Sequence, residues 1–185
     1  DFPARGTPAL LARSVSFEEN AYMKKIVLLA ALAALPAAAE TLPPVELFVP
    51  RVCLSCVEWA EHLRQNGFRV TVREAEDIDA VKRRFRVPAD VESRMTAKVA
   101  GYFVEGHVPA GDIKTLLKEK PRARGIAVPG LPMGAPGYEP TGADASCESG
   151  CTILDPNSGE RIPRREFFNT LLVLPDGSTK VWARH

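Results

Sequence analysis

Two cysteines separated by two residues, set between a strand pattern and a helix pattern, constrain this chain more than any other feature. Val45-Glu46-Leu47-Phe48-Val49 alternates well enough for a strand, which Pro50 ends. From Cys56 onward Trp59, Ala60 and Leu63 recur at helical spacing, and Asn66-Gly67 supplies the stop. Phe68, Val70 and Val72 then alternate with Arg69, Thr71 and Arg73, the period of a strand with one buried face. The order is strand, CxxC, helix, strand, with Cys53 just before or at the first turn of the helix. A thiolate in that place faces the partial positive charge of unpaired backbone N–H groups, so its pKa falls and it becomes a better nucleophile and a better metal ligand. Two intervening residues let both sulfurs converge on one point, as a reversible disulfide or as two ligands of one ion. The bland alternative is a static local disulfide with no role.

Further along, Asp79 is expected to cap a short helix running through Phe85, which Val87-Pro88 breaks. Thr96 to Val104 reads as two short strands turning at Ala100-Gly101. Pro109 sits where a helix often begins, and Ile113, Leu116 and Leu117 give that helix a buried stripe up to Lys120-Pro121. Pro129 to Gly137 is too rich in Pro and Gly for a helix or a central strand, and is expected to be a fixed loop laid over the domain. Pro140 to Arg165 is polar, carries Cys147 and Cys151, and reads as a surface excursion. Phe168 to Leu174, the turn Pro175-Asp176-Gly177 and Thr179 to Ala183 form a β-hairpin pattern. No internal repeat is evident.

Met23-Lys24-Lys25, the apolar run Ile26 to Leu35 and the small-residue exit Ala37-Ala38-Ala39 have the form of a secretory signal over 23–39. The run falls short of the roughly 20 residues that span a bilayer. Residues 1–22 are then read as upstream of the true start and set aside, leaving 40–185 as one exported, periplasmic domain. A net charge of +1, with no block of like charges, speaks against nucleic acid and against a membrane partner beyond the signal. Cys53, Cys56, Cys147 and Cys151 all lie in the mature part, where they form disulfides or stay as thiols protected by a metal; four cysteines allow three pairings.

Four segments resemble the small periplasmic proteins of the CopG copper-tolerance type: Cys53-x-x-Cys56-x-x-Trp59-x-x-His62-Leu63 with Asn66-Gly67-Phe68, Gly101 to Ala110, Ala127 to Gly137, and the terminal hairpin. The resemblance implies an α/β thioredoxin-like domain (strand-CxxC-helix-strand, helix, hairpin, helix) with an added Pro/Gly loop and C-terminal β-hairpin, and copper binding through sulfur. The chain departs from the family's pattern at three places. Ser55 stands where relatives carry a middle cysteine, Arg94-Met95-Thr96-Ala97 stands for Cys-His-Thr-Ala, and Leu131 and Tyr138 stand where methionine is expected. A multi-copper cluster needs several bridging thiolates, so what the resemblance implies here is a single soft ion held by Cys53, Cys56 and one further ligand. Thiolate and thioether donors favour Cu(I), with Zn(II) as the alternative.

His107, between a strand and a helix in the segment that carries the resemblance, is the candidate further ligand; otherwise it fixes a tight turn or caps the helix after Pro109. Met133 is a second candidate, although both it and Met95 read first as packing residues. His62 reads as structural or surface, and His185, at the extreme end, as mobile. Cys147 and Cys151 form either a small disulfide or, with Cys53 and Cys56, a four-sulfur site. Two functions follow: a metal-binding protein of copper tolerance or trafficking, working beside other copper-handling proteins, or a thiol-disulfide oxidoreductase in which Cys53 attacks and Cys56 resolves. An exported interaction domain with every cysteine paired is the third.

Overall fold

The computed structural model describes residues 41–139 and 152–185. The signal-like segment 23–39 and both Cys147 and Cys151 lie outside the described residues. Strand β1 (Val45–Val49) leads into helix α1 (Leu54–Gln65), which returns through β2 (Val70–Glu74). Helix α2 (Ile78–Phe85) and a 3-10 turn (Ala89–Val91) precede the hairpin β3 (Thr96–Val99) and β4 (Tyr102–Glu105). Helix α3 (Ala110–Glu119), β5 (Gly125–Ala127), the ribbon β6 (Thr152–Leu154) and β7 (Arg161–Pro163), and the hairpin β8 (Asn169–Val173) and β9 (Thr179–Arg184) complete the mixed α/β architecture.

Seven strands form one sheet in the order β2-β1-β3-β4-β5-β8-β9. Alternate residues point to opposite faces, and both faces of the central strands are covered, while the edge strands β2 and β9 stay largely exposed. On one side Val45, Leu47 and Val49 of β1 pack with Val104, Ile126 and Leu172 against Trp59, Ala60 and Leu63 of α1 and Ile113 and Leu116 of α3. On the other side Phe103, Ala127 and Val173 meet Val87 and Val91, with Phe85 of α2 packed against them. The period-2 switch between Phe103 and Val104, Ala127 and Ile126, and Val173 and Leu172 is what lets one sheet serve two layers.

Several local expectations are corrected. Asp77, not Asp79, caps α2: it is extended, and its side chain accepts the Ala80 N–H at 2.8 Å, while Asp79 lies inside the first turn, where its charge complements the helix end. The strand after Phe68 begins at Val70 and is a sheet edge, so Val72 is 37% exposed rather than buried. Ahead of the Pro129–Gly137 loop lies a strand that the sequence pattern did not indicate, β5, three residues held between β4 and β8 and too short to show a period. Within the polar excursion, β6 and β7 pair as a separate ribbon. His185 is tied down: its N–H donates to the Phe168 carbonyl at 2.9 Å, its ring stacks on Phe168, and its Nε2 lies 2.8 Å from Asp112 Oδ2. The terminal hairpin is therefore joined at its open end to α3.

Candidate thiol and metal centre

The sheet topology gathers the candidate residues at one end. Because β1 and β3 are antiparallel and β3 and β4 are antiparallel, the exit of β1 toward the cysteines, the start of β3 after Met95 and the exit of β4 toward His107 all lie on the same edge. Strand β5 runs parallel to β4, so the Pro/Gly loop that follows it emerges there too.

Cys53 is the N-cap of α1 and Cys56 lies in its first turn, as expected, and the two are joined in a disulfide. No acidic residue stands in that turn to oppose a thiolate. The sulfurs are not equivalent: Cys56 is fully buried, Cys53 is half-buried, and the Cys53 sulfur lies 3.7 Å from the Ser55 hydroxyl. In this oxidised state the sulfurs are spent on each other, and a two-electron reduction is needed to release them as the thiolates that can ligate an ion. Among the described residues no three His, Cys, Asp or Glu side chains form a ready metal cage.

His107 is completely buried, with its Nδ1 2.8 Å from the Pro136 carbonyl oxygen. A carbonyl only accepts, so Nδ1 carries the proton and donates, and the neutral ring keeps its lone pair on Nε2. That nitrogen is the one buried side-chain polar atom without a hydrogen-bond partner among the described residues. An unpartnered buried acceptor costs free energy, and any group that donates to this lone pair or binds it would offset that cost. Burial holds the His107 pKa below its ordinary value of 6.5; the Pro136 carbonyl and Glu139 oppose this, and Arg94 adds to it. A neutral imidazole with the outer nitrogen fixed by a carbonyl is the form in which histidine binds a metal.

The Pro/Gly loop that supplies Pro136 rests on α1. Gly137 has φ +79°, and a Cβ there would stand 2.5 Å from the Trp59 backbone nitrogen. Met95 is buried, its carbonyl accepting from Gly106 N–H at 3.0 Å. Met133 is half-buried, and its described bonds run to Glu166 rather than to the cysteines or His107. Beside the site Glu105 is completely buried and accepts from Lys82, from Ser93 N–H at 2.7 Å and from Thr96 Oγ1 at 2.6 Å. Burial pushes the Glu105 carboxyl above the usual range, and these donors pull against that rise.

The family model described as "Protein of unknown function, DUF411" matches residues 91–138. A search of curated proteins returned no significant match. Two solved structures, described as "Copper resistance protein copG" in Form 1 and Form 2, are similar at 33% identity with TM-scores of 0.62 and 0.63. Each comparison covers 77% of this chain and 98% of the other. The chain belongs to the CopG family. The stretch matched by the family model holds Met95, His107 and the Pro136-Gly137 segment, whereas the cysteine pair lies upstream of it.

Burial also holds the His62 pKa below 6.5, with Glu139 opposing and Lys114 reinforcing. Both histidines titrate lower in the folded chain than in the unfolded one, so their stabilisation is complete above about pH 6.5 and is lost as pH falls through that value toward the folded ones. Urea unfolding of the metal-free protein is expected to give a lower midpoint at pH 5.5 than at pH 7.5, and replacing His62 by Gln should shrink the difference. An equal acid loss in that variant would remove His62 from the explanation.

Proposed function

We propose that this CopG-family chain is an exported soft-metal carrier of copper tolerance or trafficking, in which reduced Cys53 and Cys56 hold a single Cu(I) together with His107. The observation that carries the reading is the buried, unpartnered Nε2 of His107, presented in its ligating tautomer at the sheet end where the cysteine pair emerges. The solved relatives described as copper resistance proteins support copper as the ion; two thiolates and an imidazole favour Cu(I) and would also accept Zn(II). Met133 is the candidate for a further soft donor from the same loop.

A thioredoxin-like reading of the domain is supported by the parallel β1-α1-β2 unit followed by the antiparallel β3-β4 pair and α3, in the strand order β2-β1-β3-β4. Export to the periplasm through the signal-like segment 23–39, with 40–185 as the mature domain, completes the proposal. No helix among the described residues is long and apolar enough to cross a membrane. The metal ion is the first partner, and other copper-handling proteins are the donors or acceptors of the cargo.

Anaerobic Cu(I) titration of reduced protein against a chromophoric chelator tests the reading. Tight binding is expected in the native chain, loss of it in Cys53→Ser/Cys56→Ser, and clear weakening in His107→Ala, which removes one of the three proposed ligands. Failure of the native chain to compete would sink the metal reading. The second reading, a thiol-disulfide oxidoreductase, is favoured by the asymmetry of the disulfide, with Cys53 half-exposed and Cys56 buried; it predicts turnover in an insulin-reduction assay instead.

A further inference from the structure

Cys53, Cys56, Trp59 and His62 follow one another at intervals of three along α1, and the second pair grips the segment that carries His107. Trp59, completely buried, donates its indole N–H to the Val108 carbonyl at 2.8 Å. One turn later His62 Nε2 accepts the Ala110 N–H at 3.2 Å, one of the donors left free at the start of α3. The Ala110 N–H has no carbonyl four residues behind it in the helix, and Pro109 at the N-cap makes no side-chain cap of its own. Two bonds of opposite sense, separated by one helical turn, therefore fix residues 108–110 in both position and rotation relative to the helix that bears the cysteines. His107 immediately precedes the gripped segment, and its ring is held on its other side by Pro136.

We propose that Trp59 and His62 are positioning residues that hold the His107 imidazole in fixed register with the Cys53/Cys56 pair, so that the helix carrying two ligands also sets the place of the third. The proposal rests on the metal-site reading above. It assigns His62 a role through its ring nitrogen rather than through ligation, because that nitrogen is already engaged by Ala110.

The test uses His62→Leu, which removes the acceptor, and His62→Gln, whose side-chain oxygen can restore it, with His107→Ala as the reference. In metal-free protein, Ala110 amide exchange should quicken and the His107 ring nitrogen signals should move in His62→Leu, with both restored in His62→Gln. In Cu(I) competition, His62→Leu should weaken binding roughly tenfold and His62→Gln by no more than about threefold, within the range known for partners of metal-binding residues. Unchanged His107 signals in a folded His62→Leu protein overturn the proposal, whether or not metal binds. Unchanged Cu(I) affinity in His62→Leu, where His107→Ala does lose affinity, overturns it as well. No loss in His107→Ala would instead remove His107 from the site reading and the proposal with it.

Discussion

Lys82→Met is expected to destabilise the protein by about 3–5 kcal/mol at neutral pH, the cost of leaving a buried carboxylate without its counter-charge. Lys82 is 3% exposed and Glu105 wholly buried, so water cannot take the place of the missing ammonium. The lysine also donates to the Ser93 carbonyl at 2.8 Å, and Ser93 Oγ in turn donates to the Gly130 carbonyl at 2.6 Å. The network thus ties α2, the start of β3, the end of β4 and the Pro/Gly loop together beside the candidate centre. In the variant the Glu105 carboxyl has a folded pKa raised further above the unfolded value, so the deficit is full above the raised value and shrinks as pH falls toward 4.5. Adding Glu105→Gln should recover more than half of the loss at pH 7, because the neutral amide still accepts from Ser93 N–H and asks for no cation. Urea unfolding of both variants at pH 5 and pH 7 measures this. A single variant within 1 kcal/mol of the native chain would show that the pair adds little stability.

Gly137→Ala is expected to cost about 2–5 kcal/mol, combining the strain of an L-residue at positive φ with a Cβ driven into backbone. The atoms it meets, Trp59 N at 2.5 Å and Trp59 Cα at 2.8 Å, belong to α1 and cannot turn aside as a side chain would. The relief open to the chain is to lift the loop, and that withdraws the Pro136 carbonyl from His107. Loss of stability should therefore be accompanied by a change in the His107 ring nitrogen signals and by weaker Cu(I) binding. Gly130→Ala is the control: its φ is +69°, but a Cβ there meets nothing within 4 Å, so it should carry the conformational strain of roughly 1–2 kcal/mol alone. Equal effects from the two substitutions would mean that the seat on α1 does not hold the loop.

The cysteine helix was legible because its information is local. Three apolar residues at helical spacing, a glycine stop and a CxxC just before the first turn determine both the helix and the capping place of Cys53, whatever packs around them. The β3-β4 and β8-β9 hairpins were legible for the same reason, as alternation interrupted by a glycine turn. His107 stood out as a candidate from its segment, but its choice between ligand and turn-former was not settled there.

The chemistry of that histidine was decided by tertiary structure, because its proton is placed by a carbonyl 29 residues away and its other nitrogen is isolated by burial. Strand β5 is three residues long and becomes a strand only through its neighbours on either side. His62 reads as an ordinary polar residue late in a helix until Ala110, 48 residues on, brings an unpaired N–H to it. A sequence by itself determines what short-range spacing and backbone sterics can enforce. Which lone pairs are left open, and which groups face one another across the core, is decided only when distant segments close on each other.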